Sequence, residues 1–187
     1  MPDSEGNVQG YAPTPVRTVG KLSLPNVETG ANGAAAPFTA PPGGLLVVYF
    51  GFVSCPDVCP VSMGDLAAGL KEMGPAADKV EVAFVSVDIE RDTPEMLNQY
   101  LSYYFGEGNY RALRANDAYQ LNGVTYEFGA QWNVEAHEPG DRTYVVSHTG
   151  VTFVVNDKGQ LVWAYPWGTS APDIAATLNE LLAKQQS

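Results

Sequence analysis

Basic residues are scarce in this sequence. Ten Lys and Arg stand against 21 Asp and Glu in 187 residues, for a formal net charge of −11. A nucleic-acid footprint needs a basic stripe and docking on anionic lipid needs basic clusters, so this balance argues against both. Long apolar runs are missing too, and none approaches the roughly 18 residues of a membrane-spanning helix. The opening Met-Pro-Asp-Ser-Glu-Gly has neither the basic start nor the apolar stretch of a secretory signal. From these residues the chain is expected to be either cytosolic or the mature part of a longer protein. Cysteine and histidine number only two each, which confines any thiol or metal chemistry to a few positions.

What remains is a globular composition. The chain is 45% hydrophobic, enough for one domain with a sizeable core. Residues 1–20 are polar and rich in Gly and Pro, and read as a tail or linker ahead of a single domain over 21–187. Residues 22–27 suggest a short strand that Pro25 restricts to a sheet edge. Residues 28–44 read as loop around a small hairpin. Residues 45–51 are apolar or aromatic throughout, closing on Gly51, and form the first firm strand.

A helix is expected after Pro60, with Met63, Leu66, Ala67, Leu70 and Met73 at helical spacing and Gly74-Pro75 as its stop. Residues 80–88 read as a strand. Thr93-Pro94-Glu95 caps a helix that runs to about Tyr104. Arg111-Ala-Leu suggests a short strand, and residues 117–129 a less regular helix. Residues 131–136 and 142–155 look extended, joined by a turn at Glu138-Pro-Gly-Asp. Asp157-Lys-Gly turns into a strand over 160–165, and Ser170 caps a last helix to about Lys184. Alternating strands and helices, then a hairpin and a helix, predict an α/β fold. Its mixed central sheet is flanked by helices, with an extra N-terminal strand or hairpin.

Cys55 and Cys59 lie in the turn between the first firm strand and its helix. Four residues apart, they fall on one side of a helical turn. Two thiols so placed can close a disulfide or share a soft metal ion. A purely structural bridge would close too short a loop to stabilise much. Buried inert thiols fit poorly with Pro56, Asp57 and Pro60. The position is the C-terminal edge of a parallel sheet, where sites collect, and a helix N-terminus favours the thiolate. On pattern this is thioredoxin-like, with C-x-x-x-C in place of C-x-x-C.

Of the histidines, His137 sits in a polar loop and reads as solvated. His148 lies in the extended segment 142–155, expected to enter the sheet beside the cysteine strand. Two thiolates and an imidazole suit Cu(I), and accept Cu(II) with a weak fourth donor. Structural zinc usually takes four protein ligands. Met63, a soft donor one turn past Cys59, reads as core.

Phe50-Gly-Phe followed by Cys55-Pro-Asp-Val-Cys-Pro60 resembles the signature of the Sco/SenC family, thioredoxin-fold, membrane-anchored copper proteins that assemble cytochrome c oxidase. The stretch Val87-Asp-Ile-Glu-Arg-Asp-Thr-Pro-Glu95 resembles the family's Asp-x-x-x-Asp segment, carried by Asp88 and Asp92. Ser147-His148-Thr149 falls where the family has its distal histidine. The resemblance covers about residues 45–182. Ser147 stands where Asp is frequent in the family, and Ile89 where Pro is frequent.

The resemblance implies that Cys55, Cys59 and His148 bind copper and that Asp88 and Asp92 support the site or its partner contacts. Without it, the two acids read as a charge pair at a helix N-terminus. The implied function is carriage of Cu(I) or Cu(II) to the copper site of oxidase subunit II. Another copper carrier or a thiol reductant would be a further partner. The implied place is the extracytoplasmic face of the cytoplasmic membrane, rather than the mitochondrial inner membrane, with the anchor outside this sequence. Three other readings use the same cysteines. A thiol–disulfide oxidoreductase would keep the recipient's copper-site cysteines reduced, with Cys55 and Cys59 as its redox pair. A redox or copper sensor is another. A thiol peroxidase is the third, and the prolines around Cys55 give it no donor-rich pocket.

Overall fold

A computed structural model of the chain describes residues 10–185. Nine strands and four α-helices follow in the order β1 (Ser23–Asn26), β2 (Ala34–Pro37), β3 (Leu45–Gly51), α1 (Val58–Met73), β4 (Val80–Ser86), α2 (Pro94–Phe105), β5 (Tyr110–Arg114), α3 (Ala118–Phe128), β6 (Trp132–Val134), β7 (Val146–His148), β8 (Thr152–Asn156), β9 (Leu161–Tyr165) and α4 (Ala171–Gln185), among the described residues. Seven strands form one sheet, ordered β2-β1-β5-β4-β3-β8-β9. The core β3, β4 and β5 run parallel, while β8 and β9 continue antiparallel beyond β3. The α/β architecture, its mixed sheet and its extra N-terminal strand pair are as the sequence predicts.

Every residue of β3 is buried, as an apolar strand covered on both faces must be. Successive side chains alternate between faces. Tyr49 packs with Phe84 toward Tyr100 of α2, and Phe50 packs with Phe153 and with Phe128 of α3 on the other side. Helix α4 lies against α1. Met63 is fully buried, the core residue its spacing predicts.

Local signals behave as expected at several ends. The Thr93 hydroxyl accepts from the Met96 N–H, with Pro94 in the first turn of α2. Asp117 caps α3 through the Gln120 N–H, and Gly129 closes it with a left-handed φ of 73°. Gly74 ends α1 with φ 58°, and a 3-10 turn over Gly74–Lys79 follows.

Four expectations are corrected. Helix α1 starts at Val58, so Cys59 and Pro60 lie within its first turn, where a missing N–H costs nothing. Strand β1 is not an edge. It lies between β2 and β5, and Pro25 is tolerated because β1 registers with β5 only through Asn26 and Leu113. Residues 142–155 are not one strand. They form β7 and β8, and β7 pairs only with β6 in a separate two-stranded ribbon. Within the stretch read as tail or linker, residues 1–9 lie outside the described residues, and residues 10–20 run along the outer side of β9. Tyr11 bridges Ala164, Thr18 bridges Gln160, and Val19 is fully buried.

Candidate metal centre

Strand β3 delivers the chain to the C-terminal edge of the sheet, where it turns through Phe52–Cys55 into α1. The Cys55 N–H donates to the Phe52 carbonyl at 3.2 Å, closing the turn. The Cys59 N–H donates to Cys55 Sγ at 3.3 Å. Both cysteines are free thiols; Cys59 is buried and Cys55 half-buried. Gly51 must be glycine here by close approach. A Cβ on it would lie 2.7 Å from Tyr49 Cε1 and 2.9 Å from Cys59 Sγ.

His148 comes to the thiols from the ribbon, not from the central sheet. Its Nε2 stands 3.2 Å from Cys59 Sγ, and its Nδ1 is 3.1 Å from the Thr149 carbonyl oxygen. A carbonyl can only accept, so Nδ1 carries the proton of the neutral ring. The Nε2 lone pair then faces the sulfur, in the orientation a metal ligand needs. Edge-on contacts with Tyr49 and Phe52, with centroids 5.9 and 5.7 Å away, hold the imidazole. Burial lowers the pKa of His148 and keeps the ring neutral near pH 7. Burial pushes the Cys59 thiol well above its ordinary value, against the expected helix effect. A soft cation would reverse that balance by displacing the proton. One donor atom from each of Cys55, Cys59 and His148 lies within 4.8 Å of the others. An open groove of about 750 Å³, lined in part by Gln131, Trp132 and Ser147, reaches His148 from the ribbon side.

Asp88 and Asp92 are outside this donor set, and they are not a solvated helix-start pair. They are 1% and 0% exposed. Asp92 accepts from the Ser86 hydroxyl at 2.7 Å and from the Val53 N–H at 3.2 and 3.3 Å. It therefore holds the turn that leads to Cys55. Desolvation raises its pKa to about 6, against the lowering effect of these hydrogen bonds. Asp88 accepts from the Tyr144 hydroxyl at 2.6 Å and pairs with Arg91.

His137 is placed away from the thiols, but it is not solvated. Its ring stacks on Tyr144 with centroids 3.8 Å apart. Its two nitrogens face the Glu135 carbonyl at 2.8 Å and Glu90 Oε2 at 2.9 Å. Two acceptors require two N–H donors, so these hydrogen bonds raise its pKa and favour the imidazolium.

The family described as SCO1/SenC matches residues 28–183. The chain belongs to the SCO1/SenC family. Among curated relatives, the SCO2-like protein of Rickettsia prowazekii is 28% identical over 132 residues, covering 71% of this chain and 63% of that protein. This SCO1/SenC chain thus matches less than two thirds of that relative's length. The copper-bound structure of Bradyrhizobium japonicum ScoI superposes with a TM-score of 0.69 at 29% identity, covering 85% of this chain and 96% of that one. BsSco, described as carrying a disulfide switch and as a member of the Sco family of cytochrome c oxidase assembly proteins, shares the fold. Its TM-score is 0.63 at 18% identity, covering 92% of this chain and 98% of that one.

Sequence reasoning missed Tyr49, Phe52, Arg91 and Tyr144. Arg91 sits inside the acidic segment, where a lone cation among four acids is itself a signal of pairing. Phe52 lies in the Phe50-Gly-Phe lead-in of the signature and Tyr49 in the apolar strand before it, and neither position by itself signals a ring contact with His148. Nothing in the sequence marks Tyr144, whose role depends on a contact 56 positions away.

Proposed function

We propose that this chain carries copper, held by the Cys55 and Cys59 thiolates and by His148 Nε2, and delivers it to the dinuclear copper site of cytochrome c oxidase subunit II. The observation that carries this reading is the three-donor cluster with the imidazole lone pair turned toward Cys59 Sγ. Two thiolates and an imidazole suit Cu(I), and Cu(II) with one further weak donor. The copper bound by the ScoI relative supports the choice of cargo. Half-buried Cys55 is the ligand that an incoming thiolate reaches first. Transfer then proceeds by replacing one donor at a time. Oxidation of the pair to a disulfide removes both thiolates, so loading requires reduced cysteines.

A second reading keeps the same pair as a thiol–disulfide reductant for the recipient's copper-site cysteines. It is favoured by Cys55, which is accessible and accepts the Cys59 N–H. In that exchange the dithiol gives up two electrons and two protons and closes its own disulfide. In either reading the protein works on the extracytoplasmic face of a membrane. Among the described residues no helix is long and apolar enough to cross one.

The test is His148→Ala. Cu(II) titrated into the reduced wild type should give a thiolate-to-copper charge-transfer band. The variant should bind Cu(II) at least about tenfold more weakly, with a smaller loss for Cu(I), which two thiolates can hold alone. Cells carrying only the variant should fail to assemble oxidase under copper limitation, although the dithiol still reduces a model disulfide. Full assembly in those cells would favour the reductant. Fractionation of the same cells should find the protein on the extracytoplasmic side, and a wholly cytosolic protein would remove that part of the reading.

A further inference from the structure

The ribbon that carries His148 shares no strand pairing with the central sheet. Something else must hold the imidazole over the thiols, and the contacts converge on one side chain. Arg91 follows β4 in the acidic segment, and its side chain is 12% exposed. Its Nε is paired with the buried Asp88 carboxylate. Its Nη1 donates to two carbonyls of the segment entering β7, Arg142 at 3.1 Å and Tyr144 at 3.0 Å. The guanidinium lies over the Tyr144 ring, 4.0 Å from its centroid, and the Tyr144 hydroxyl returns to Asp88. Arg91 also faces the Phe52 ring at 5.8 Å, and Phe52 is one of the two rings that hold His148 edge-on.

We infer that Arg91 is the positioning residue for His148: it clamps the β6–β7 ribbon to the body of the domain and so sets the reach of the imidazole to the cysteine pair. A planar fork suits this work. One edge pairs with a carboxylate, a second N–H takes carbonyls, and the face stacks on an aromatic ring. A lysine ammonium can keep the charge near Asp88, but it cannot make all three contacts at once. Asp88 fixes the fork and the Tyr144 phenol together, so the clamp is anchored at a residue outside the donor cluster.

The inference deepens the copper reading and rests on it, so the experiment has a metal-free arm. In the reduced apo protein, Arg91→Met should strip exchange protection from the ribbon amides of Glu135 and Thr149, which donate to Val145 and Gln131. Amides of β3 and β4 should keep theirs. Unchanged ribbon protection would overturn the clamp whatever copper does. In the copper arm, Arg91→Met should weaken Cu(II) by about 10–100-fold, as loss of a ligand-orienting contact does, and Cu(I) by less than about tenfold. The thiolate-to-copper band should shift. Arg91→Lys should lie between wild type and Arg91→Met in all three readouts. Equal losses for both ions, or an unshifted band, would overturn the inference. Tyr144→Phe removes only the phenol-to-Asp88 bond. It serves if Arg91→Met does not fold, and should shift the band in the same direction. No band shift in a folded Tyr144→Phe protein would also count against the clamp. Failure of wild type to bind copper would sink the copper reading and leave the clamp to the exchange data.

Discussion

At the residue scale, burial moves two pKa values in opposite directions a few ångströms apart. Cys59 and His148 are both driven toward their neutral forms, so an empty site holds a thiol facing an imidazole lone pair. Asp92 shows the same force on a carboxylate, titrating at about 6. An acid raised in the folded state above its unfolded value, near 3.9, binds its proton more tightly when folded. Its contribution is therefore fully present below about pH 4 and is lost as pH rises through about 6. The Asp92 carboxyl carbon, followed by NMR, should titrate near 6. Asp92→Asn should remove part of the decline in stability between pH 4 and 6. A midpoint below about 4 would contradict this account. Of the site residues, Cys55, Cys59 and His148 were legible in the sequence because their chemistry is rare in this chain. For Asp92 the family resemblance implied only a supporting part; its particular contact was not legible, because a carboxylate that accepts a backbone N–H from Val53 looks in sequence like any other acid.

At the element scale, the cysteine turn depends on a glycine that belongs to a strand. Gly51→Ala places a methyl group against Tyr49, Cys59 and Phe84 at once. Overpacking of this kind costs about 1–3 kcal/mol. Thermal unfolding should report that loss, and the copper spectrum should change with it because Cys59 Sγ is one of the atoms displaced. A variant with wild-type stability and spectrum would show that the turn has room the geometry denies. The Thr93 cap and the Gly74 stop are legible in the sequence, since both act through neighbours in the chain. The ribbon was read as a hairpin correctly but was assigned to the wrong sheet. Period-2 patterning marks a strand and says nothing about which strand it pairs with. Pro25 misled for the same reason: it forbids one hydrogen bond, and β1 met that condition with a nearly unpaired side instead of an open edge.

At the scale of the whole molecule, residues 10–20 close an edge of the sheet. Tyr11 and Ala164 exchange two hydrogen bonds at 2.9 and 2.8 Å, the Val19 N–H donates to Gly159, and the Leu161 N–H donates to Arg17. Arg17 also reaches the last carbonyls of α3, at Tyr126 and Glu127. Covering β9 in this way removes an exposed strand edge. A chain begun at Lys21 should lose about 2–4 kcal/mol, from the buried Val19 and several hydrogen bonds. Its copper band should be unchanged, since none of these contacts involves Cys55, Cys59 or His148. Denaturant unfolding and the copper titration check the two halves separately. A shifted band would mean that the strap reaches the site. Gly- and Pro-rich composition makes this segment read as a linker, because its partners at Tyr126, Glu127, Gly159, Leu161 and Ala164 lie more than 100 positions away.

The separation of ribbon and body gives occupancy a mechanical meaning. Cys59 and His148 are 89 positions apart in the chain, and each sits on a different piece of the fold. An ion gripped by both is a removable rivet between two plates. Inserting it closes a long loop and stabilises their docking by mass action. Withdrawing it leaves the polar and aromatic fastening at Arg91 and Tyr144 and the edge-on contacts of Tyr49 and Phe52 with His148. Exposed Ser147 and Val145 lie on the plate that the rivet secures. An ion bound there would thus also stiffen this outward surface.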